Sequence, residues 1–253
     1  MKAKIIISSI IVLLALISLT AFKVRSRSQK EQIEQLQNAP DKYTIAWHVR
    51  LAKAKGERKV VLASPIFCGF RAENLDEALS QYGAVVAQPI NHKTYIASTN
   101  ELYKDNEIRT WYKFRILENL SAKPIPVCRN CGDPDSDREK LIPQEMLPVN
   151  ENEILIEVYG GTVEIDDVTV TQNNRYNPNF LESNQYLLFL IADAPGKVVG
   201  IGMGELGIYM ISSENRLIPF SKENKRIIQD ITSLYSSSLD SLKTYIWNHP
   251  STK

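Results

Sequence analysis

Strand-length apolar runs parted by turn residues constrain this chain more than anything else in it. The densest series runs from Asn184 to Phe220. Tyr186–Ile191 is a continuous apolar run, Asp193–Lys197 reads as a tight turn, and Val198–Ile201 and Gly207–Ile211 follow as further strands. Runs of this length between Pro-Gly and Gly signals predict a buried antiparallel meander. Upstream, Lys59–Ala63 reads as a strand. Ala84–Ala87 starts another that continues past Pro89, which belongs at a bulge or an edge because it has no amide donor. Ile108–Leu117 alternates: Ile108, Thr110, Tyr112, Phe114 and Ile116 are predicted to face a core, and Arg109, Trp111, Lys113, Arg115 and Leu117 mostly water. Glu153–Tyr159 is a strand. Thr162–Ile165 and Val168–Thr171 flank Asp166-Asp167 as a two-residue hairpin. Seven or more strands in a row with short turns favour a mainly β fold, a closed barrel or a sandwich, over alternating strands and helices.

Helices are expected in few places. Asn74 can cap a helix through Asp76, Glu77 and Leu79, with Glu77 three residues on, ending near Tyr82-Gly83 with Gly83 as its C-terminal cap. Residues 222–247 carry Ile227, Ile231, Leu234 and Leu242 at helical spacing, which predicts one amphipathic helix packed on the β domain. Tyr43 to Leu51 alternates as a strand does, although Ala46, Arg50 and Ala54 suit a helix equally. His48 in that stretch reads as an exposed-face residue.

The N-terminus carries a location signal. Ile5 to Phe22 is free of charge, follows Lys2 and Lys4, and precedes Lys23, Arg25, Arg27 and Lys30. Such a run lies at the lower limit for a membrane-spanning helix and above a usual signal-peptide core. Thr20 with Ser18 two residues before it offers a passable cleavage site, so a cleaved export signal is the lesser alternative to an uncleaved signal anchor. The basic residues on the two sides nearly balance, so orientation rests on the export-type layout, which puts the bulk of the chain outside the cytoplasm. The expected division is an anchor over 1–27, a linker or helical stalk over 28–58, a β-barrel domain over 59–220 with an insert at 121–152, and a C-terminal helix over 221–253. The 253 residues carry 30 basic and 29 acidic side chains, a net charge of +1, which gives no reason to expect nucleic acid as a partner.

Chemistry is sparse. Cys128-Arg129-Asn130-Cys131 sits in the Pro-rich insert. Outside the cytoplasm the pair can close a disulfide. As a redox pair it lacks a helix start, with Pro124 and Pro126 before it and Gly132 and Pro134 after. As a zinc site it supplies half the ligands, and Cys68 and His92 could complete it only if the fold brings them close. Asp133, Asp135 and Asp137 form an oxygen-rich loop, but Arg138 and Gln144 stand where a calcium loop wants Gly and Glu. Cys128, Cys131, Asp133, Asp135 and Asp137 are thus the candidate metal ligands. Gly202-Met-Gly-Glu-Leu-Gly207 matches GxGxxG, yet a strand-like Ile208–Ile211 follows where a phosphate-binding helix is required. His48, His92 and His249 lie near no nucleophile elbow. No catalytic residue and no cofactor is assigned.

Asn74-Leu-Asp-Glu-Ala-Leu, Thr110-Trp-Tyr-Lys-Phe-Arg-Ile-Leu-Glu118, Gly160-Gly161-Thr-Val163 and Tyr186-Leu-Leu-Phe-Leu190 resemble motifs in a loose group of uncharacterised bacterial exported proteins. The strand layout over about 74–220 is also similar to OB-type barrels of the netrin and tissue-inhibitor-of-metalloproteinase kind. The resemblance implies an OB-like barrel and no functional residues; the N-terminal cysteine and disulfide framework of those barrels are missing here. Together these readings predict a membrane-tethered extracytoplasmic β domain, held through residues 5–22, that binds an envelope protein or a small ligand. The alternative is a redox- or metal-dependent enzyme with its site at Cys128 and Cys131.

Overall fold

The computed structural model describes residues 18, 20, 23–63, 72–97, 107–121, 124–126, 142–173, 179–192, 197–221, 225–235 and 237–248. The fold is mainly β, with two sheets and five helices among the described residues. The chain divides into two compact units, 1–61 with 97–106 and 163–171, and 62–96 with 107–162 and 172–253.

Among the described residues of the first unit, helix α1 covers 23–37 and is followed by α2, Ile45–Lys55. The strand period at 43–51 is overturned here, and local chemistry explains why. The Thr44 hydroxyl accepts from the Trp47 amide at 3.1 Å, which caps the first turn. At the other end Gly56 takes φ 75°, the Gly56 amide donates to the Lys53 carbonyl and the Glu57 amide to the Ala52 carbonyl. That is a Schellman stop, which needs a residue at ease with positive φ. Between the caps, Ala46, Ala52 and Ala54 are strong helix formers. The two helices run antiparallel. Trp47 Nε1 donates to the Leu36 carbonyl and Gln29 Nε2 to the Ala54 carbonyl, each at 2.6 Å. A three-stranded sheet completes the unit, in the order β1 (Lys59–Leu62), β6 (Val168–Gln172), β5 (Gly161–Ile165). Asp166 and Asp167 turn the hairpin at φ 49° and 64°, as the two-residue loop requires.

The second unit holds a seven-stranded sheet in the order β10-β9-β7-β2-β3-β4-β8, with a further pairing between β7 and β8. The strands are β2 (Gly83–Ala97), β3 (Glu107–Asn119), β4 (Glu153–Tyr159), β7 (Gln185–Ile191), β8 (Val198–Ile201), β9 (Ile208–Ile211) and β10 (Leu217–Pro219). β2 pairs antiparallel with β7 from Gly83↔Leu190 to Ala87↔Tyr186, so Pro89 lies beyond the end of that ladder. β3 and β4 pair antiparallel from Arg109↔Tyr159 to Arg115↔Glu153. β8 runs parallel to β4 (Leu155↔Val198) and antiparallel to β7 (Leu190↔Ile201). The expected meander is corrected in one respect. β9 pairs with β7 and not with β8, so β8 and β9 share one direction along different stretches of β7. A 3-10 turn over Gly204–Gly207 separates them.

Both faces of the sheet are covered. On one, Val85, Ala87, Tyr112, Phe114, Ile154, Ile156, Leu188 and Leu190 form a buried cluster with Phe180 at its centre. The Phe180 ring lies 5.1, 4.9 and 5.0 Å from those of Tyr112, Phe114 and Tyr186, each edge-on. On the other, Ala84, Val86, Leu187 and Phe189 pack against α3 (Leu75–Gln81), α4 (Lys225–Tyr235) and α5 (Leu239–Asn248). Asn74 caps α3 as expected, its side chain accepting from the Glu77 amide at 2.9 Å. Gly83 is not a left-handed cap. It is the first residue of β2, and a Cβ there would stand 3.2 Å from the Ile125 Cα.

The single C-terminal helix is two. Ser237 sits at φ 56°, and its carbonyl accepts from the Leu217 amide at 2.6 Å, while the Leu239 amide donates to Asn215. Arg216 and Ser238 form a β-bridge. The break lets the α4–α5 junction satisfy the outer edge of β10, where Pro219 offers no donor. As expected, Ile227, Ile231 and Leu242 pack in the core cluster on this face, and Ile246 joins them.

Candidate functional site

Among the described residues, the strongest concentration of buried charge lies on the outer face of β3 and β4, where the alternation predicted water. Arg109, Trp111 and Lys113 are all buried, Trp111 completely. The cover comes from the end of the insert. A 3-10 turn, Gln144–Met146, places Met146 against Trp111 and Leu155, with Tyr95, Ile142 and Val149 around them. Lys113 Nζ donates to the Pro148 carbonyl at 2.9 Å.

Arg109 organises the polar part. Its Nη1 lies 3.1 Å from Glu157 Oε2 and its Nη2 2.8 Å from Glu107 Oε2. Its guanidinium stacks on the Tyr159 ring at 4.4 Å. The Tyr95 hydroxyl donates to Glu157. Register explains the meeting: Arg109 faces Tyr159 across the ladder, and Glu157 is two residues along the same face. Burial alone would lower the Arg109 pKa, but the charges of Glu157 and Glu107 outweigh it and hold the guanidinium above its ordinary value. Burial, and after it the Glu157 carboxylate, raises the Tyr95 phenol. Trp111 Nε1 is buried beside Tyr95 without a well-formed hydrogen bond.

The cluster is closed upon itself. The guanidinium is shared between two carboxylates and a ring, and both carboxylates are paired with it. It clamps three strands together and holds no nucleophile with an adjacent base. Among the described residues no group of three His, Cys, Asp or Glu could hold a metal ion.

Cys68, Cys128, Cys131, Asp133, Asp135, Asp137 and His249 lie outside the described residues. His48 is on α2, half-buried against the Trp47 indole (4.7 Å), and burial lowers its pKa. His92 is exposed on β2, stacked on Tyr112 at 5.6 Å, with Nδ1 3.7 Å from Glu182. GxGxxG opens no helix: Gly202 faces the Tyr82 ring, and the turn at Gly204–Gly207 leads into β9. Arg109, Glu157 and Tyr95 went unmarked in the sequence; the signal was Trp111, an indole on the face assigned to water.

Among the described residues no helix is long and apolar enough to cross a membrane. Of the run 5–22 only Ser18 and Thr20 are described. No protein-family model matches the chain, and no curated protein matches it.

Proposed function

We propose that the chain is a membrane-tethered binding module, with an OB-type barrel as its scaffold and residues 5–22 as its tether. One observation carries the scaffold: β8 pairs with both β4 and β7. Following the pairings gives β2-β3-β4-β8-β7 and back to β2, a ring of five strands from which β9 and β10 branch. In chain order this is 1-2-3-5-4-1, with its one parallel rung between the third and fifth strands. That order is the Greek-key path of OB barrels, which serve widely as scaffolds for binding oligomers and proteins. Closing the sheet on itself also explains why Phe180 and its aromatic neighbours are buried on the inner side. The step from scaffold to binding is an argument from fold. It is supported by a polar cluster built as a clamp rather than a reaction centre. The export-type head and apolar run support a position outside the cytoplasm.

The test uses the full chain in its own cells. A membrane-impermeant maleimide should label Cys128 and Cys131 in intact cells, after reduction where they are paired, and the chain should resist carbonate extraction from membranes. Photo-crosslinkers at Leu147 and Leu181, both exposed, should give discrete adducts. Labelling only after lysis, or release by carbonate, overturns the location; an absence of adducts at both positions overturns binding.

A further inference from the structure

The antiparallel pairing of α1 and α2 brings two basic segments, distant in sequence, to the same end of the first unit. The Gln29–Ala54 hydrogen bond sets the C-terminal end of α2 beside the start of α1. Thr20, Val24, Arg25, Lys53, Ala54 and Gly56 line an open groove of about 1060 Å³ between them. Lys23, Arg25, Arg27 and Lys30 from α1 therefore meet Lys53, Lys55, Arg58 and Lys59 from the end of α2 and the start of β1, every one exposed. Glu31, Glu57, Glu164, Asp166 and Asp167 are the acidic residues there, so eight basic side chains stand against five acidic ones. Arg27 is paired with Glu31 and Lys53 with Asp166, both at 3.2 Å; Lys55, Arg58 and Lys59 make no ion pair among the described residues. Lys53 and Lys55 also sit favourably at the negative C-terminal end of the α2 dipole, but Arg58 and Lys59 lie past that end. This end is where the apolar run 5–22 joins the described chain.

The geometry points to a membrane-facing basic collar that docks on anionic phospholipid headgroups around the base of the tether. The inference rests on the tether reading and goes beyond it: sequence puts only four basic residues after the apolar run, and the fold doubles that number. Charge complementarity selects the occupant. A bilayer carrying phosphatidylglycerol offers many phosphates in one plane, and each engaged Lys or Arg near such a surface multiplies binding about fivefold. The attraction is screened within a Debye length.

The experiment places the full chain with vesicles of phosphatidylcholine alone or mixed with phosphatidylglycerol, and reads flotation and amide hydrogen exchange. In anionic vesicles at low salt, amides over 53–60 should exchange at least severalfold more slowly than in neutral ones, and high salt should remove the difference. Replacing Lys55→Gln, Arg58→Gln and Lys59→Gln together should also remove it, with exchange over β3 and β4 unchanged as the control for folding. Flotation with both vesicles but no exchange difference in the unaltered chain overturns the collar and leaves the tether standing. A difference that survives high salt or the triple variant overturns the collar as well. Flotation with anionic vesicles only overturns the tether and upholds the collar; flotation with neither overturns both.

Discussion

Arg109→Met tests whether the β3–β4 cluster is a clamp. The guanidinium is about one-tenth exposed, as is the Glu157 side chain, and it also pairs with Glu107. Methionine keeps much of the apolar stem but leaves two carboxylates without their cation. Orphaning one partner of a buried pair costs about 3–5 kcal/mol. The Tyr95 hydroxyl still donates to Glu157, and Glu107 is about one-fifth exposed, so the lower end of that range, about 3 kcal/mol, is expected. Urea unfolding of the full chain in detergent, followed by the fluorescence of fully buried Trp111, measures it. Adding Glu157→Leu removes the worse of the two orphans, so the double variant should regain about 2 kcal/mol, because pairs replaced by apolar groups of similar volume are often neutral. A loss under about 1 kcal/mol from Arg109→Met, or a double variant in which the two losses simply add, refutes the clamp.

Three further outcomes follow from the same contacts. Phe180→Ala empties the centre of the aromatic cluster and should cost about 3–5 kcal/mol in the same unfolding assay, a loss near zero meaning that Phe180 does not fill the inner core. Gly202→Ala would put a Cβ 2.1 Å from the ring of buried Tyr82, so about 1–3 kcal/mol should be lost to overpacking, and thermal unfolding at an unchanged midpoint would contradict the placement. Tyr95 is held protonated by burial and by Glu157, so its folded pKa lies above the unfolded value near 10; stability is intact below that pH and falls above it by about 1.4 kcal/mol per pH unit for this one proton. Tyr95→Phe should flatten that alkaline slope by about one proton, and an unchanged slope above pH 10 would show that the phenol is not so held.

The elements were legible where local chemistry alone decides them. The Asp166-Asp167 hairpin, the Asn74 cap and the long β2 strand follow from turn geometry, capping and apolar runs, and they stand in the structure. The failures share a cause. At 43–51 the apolar positions fit a strand period; Thr44 counts there only as a polar position although it is the cap, and the other deciding signal, Gly56, lies beyond the window. At 222–247 the helical period is real on both sides of Ser237, but the break is set by a need elsewhere, the open edge of β10. In the meander, local runs could not tell whether β9 would pair with β8 or slide past it along β7.

The outer face of β3 and β4 carries that limit furthest. Alternation gives the side of a strand on which a residue stands, not what comes to lie over that side. Here residues 142–149, the end of the insert just before β4, close over it, and Lys113, Glu153 and Met146 are buried as a result. Once that cover is present the cost of burying Arg109 has to be met by carboxylates placed in advance, at Glu107 two residues away on its own strand and at Glu157 across the ladder. Charge at 107, 109 and 157 with aromatics at 95, 111 and 159 is thus one requirement expressed in three strands. Each strand read alone contains only part of it, so the pattern appears when register is known and not before.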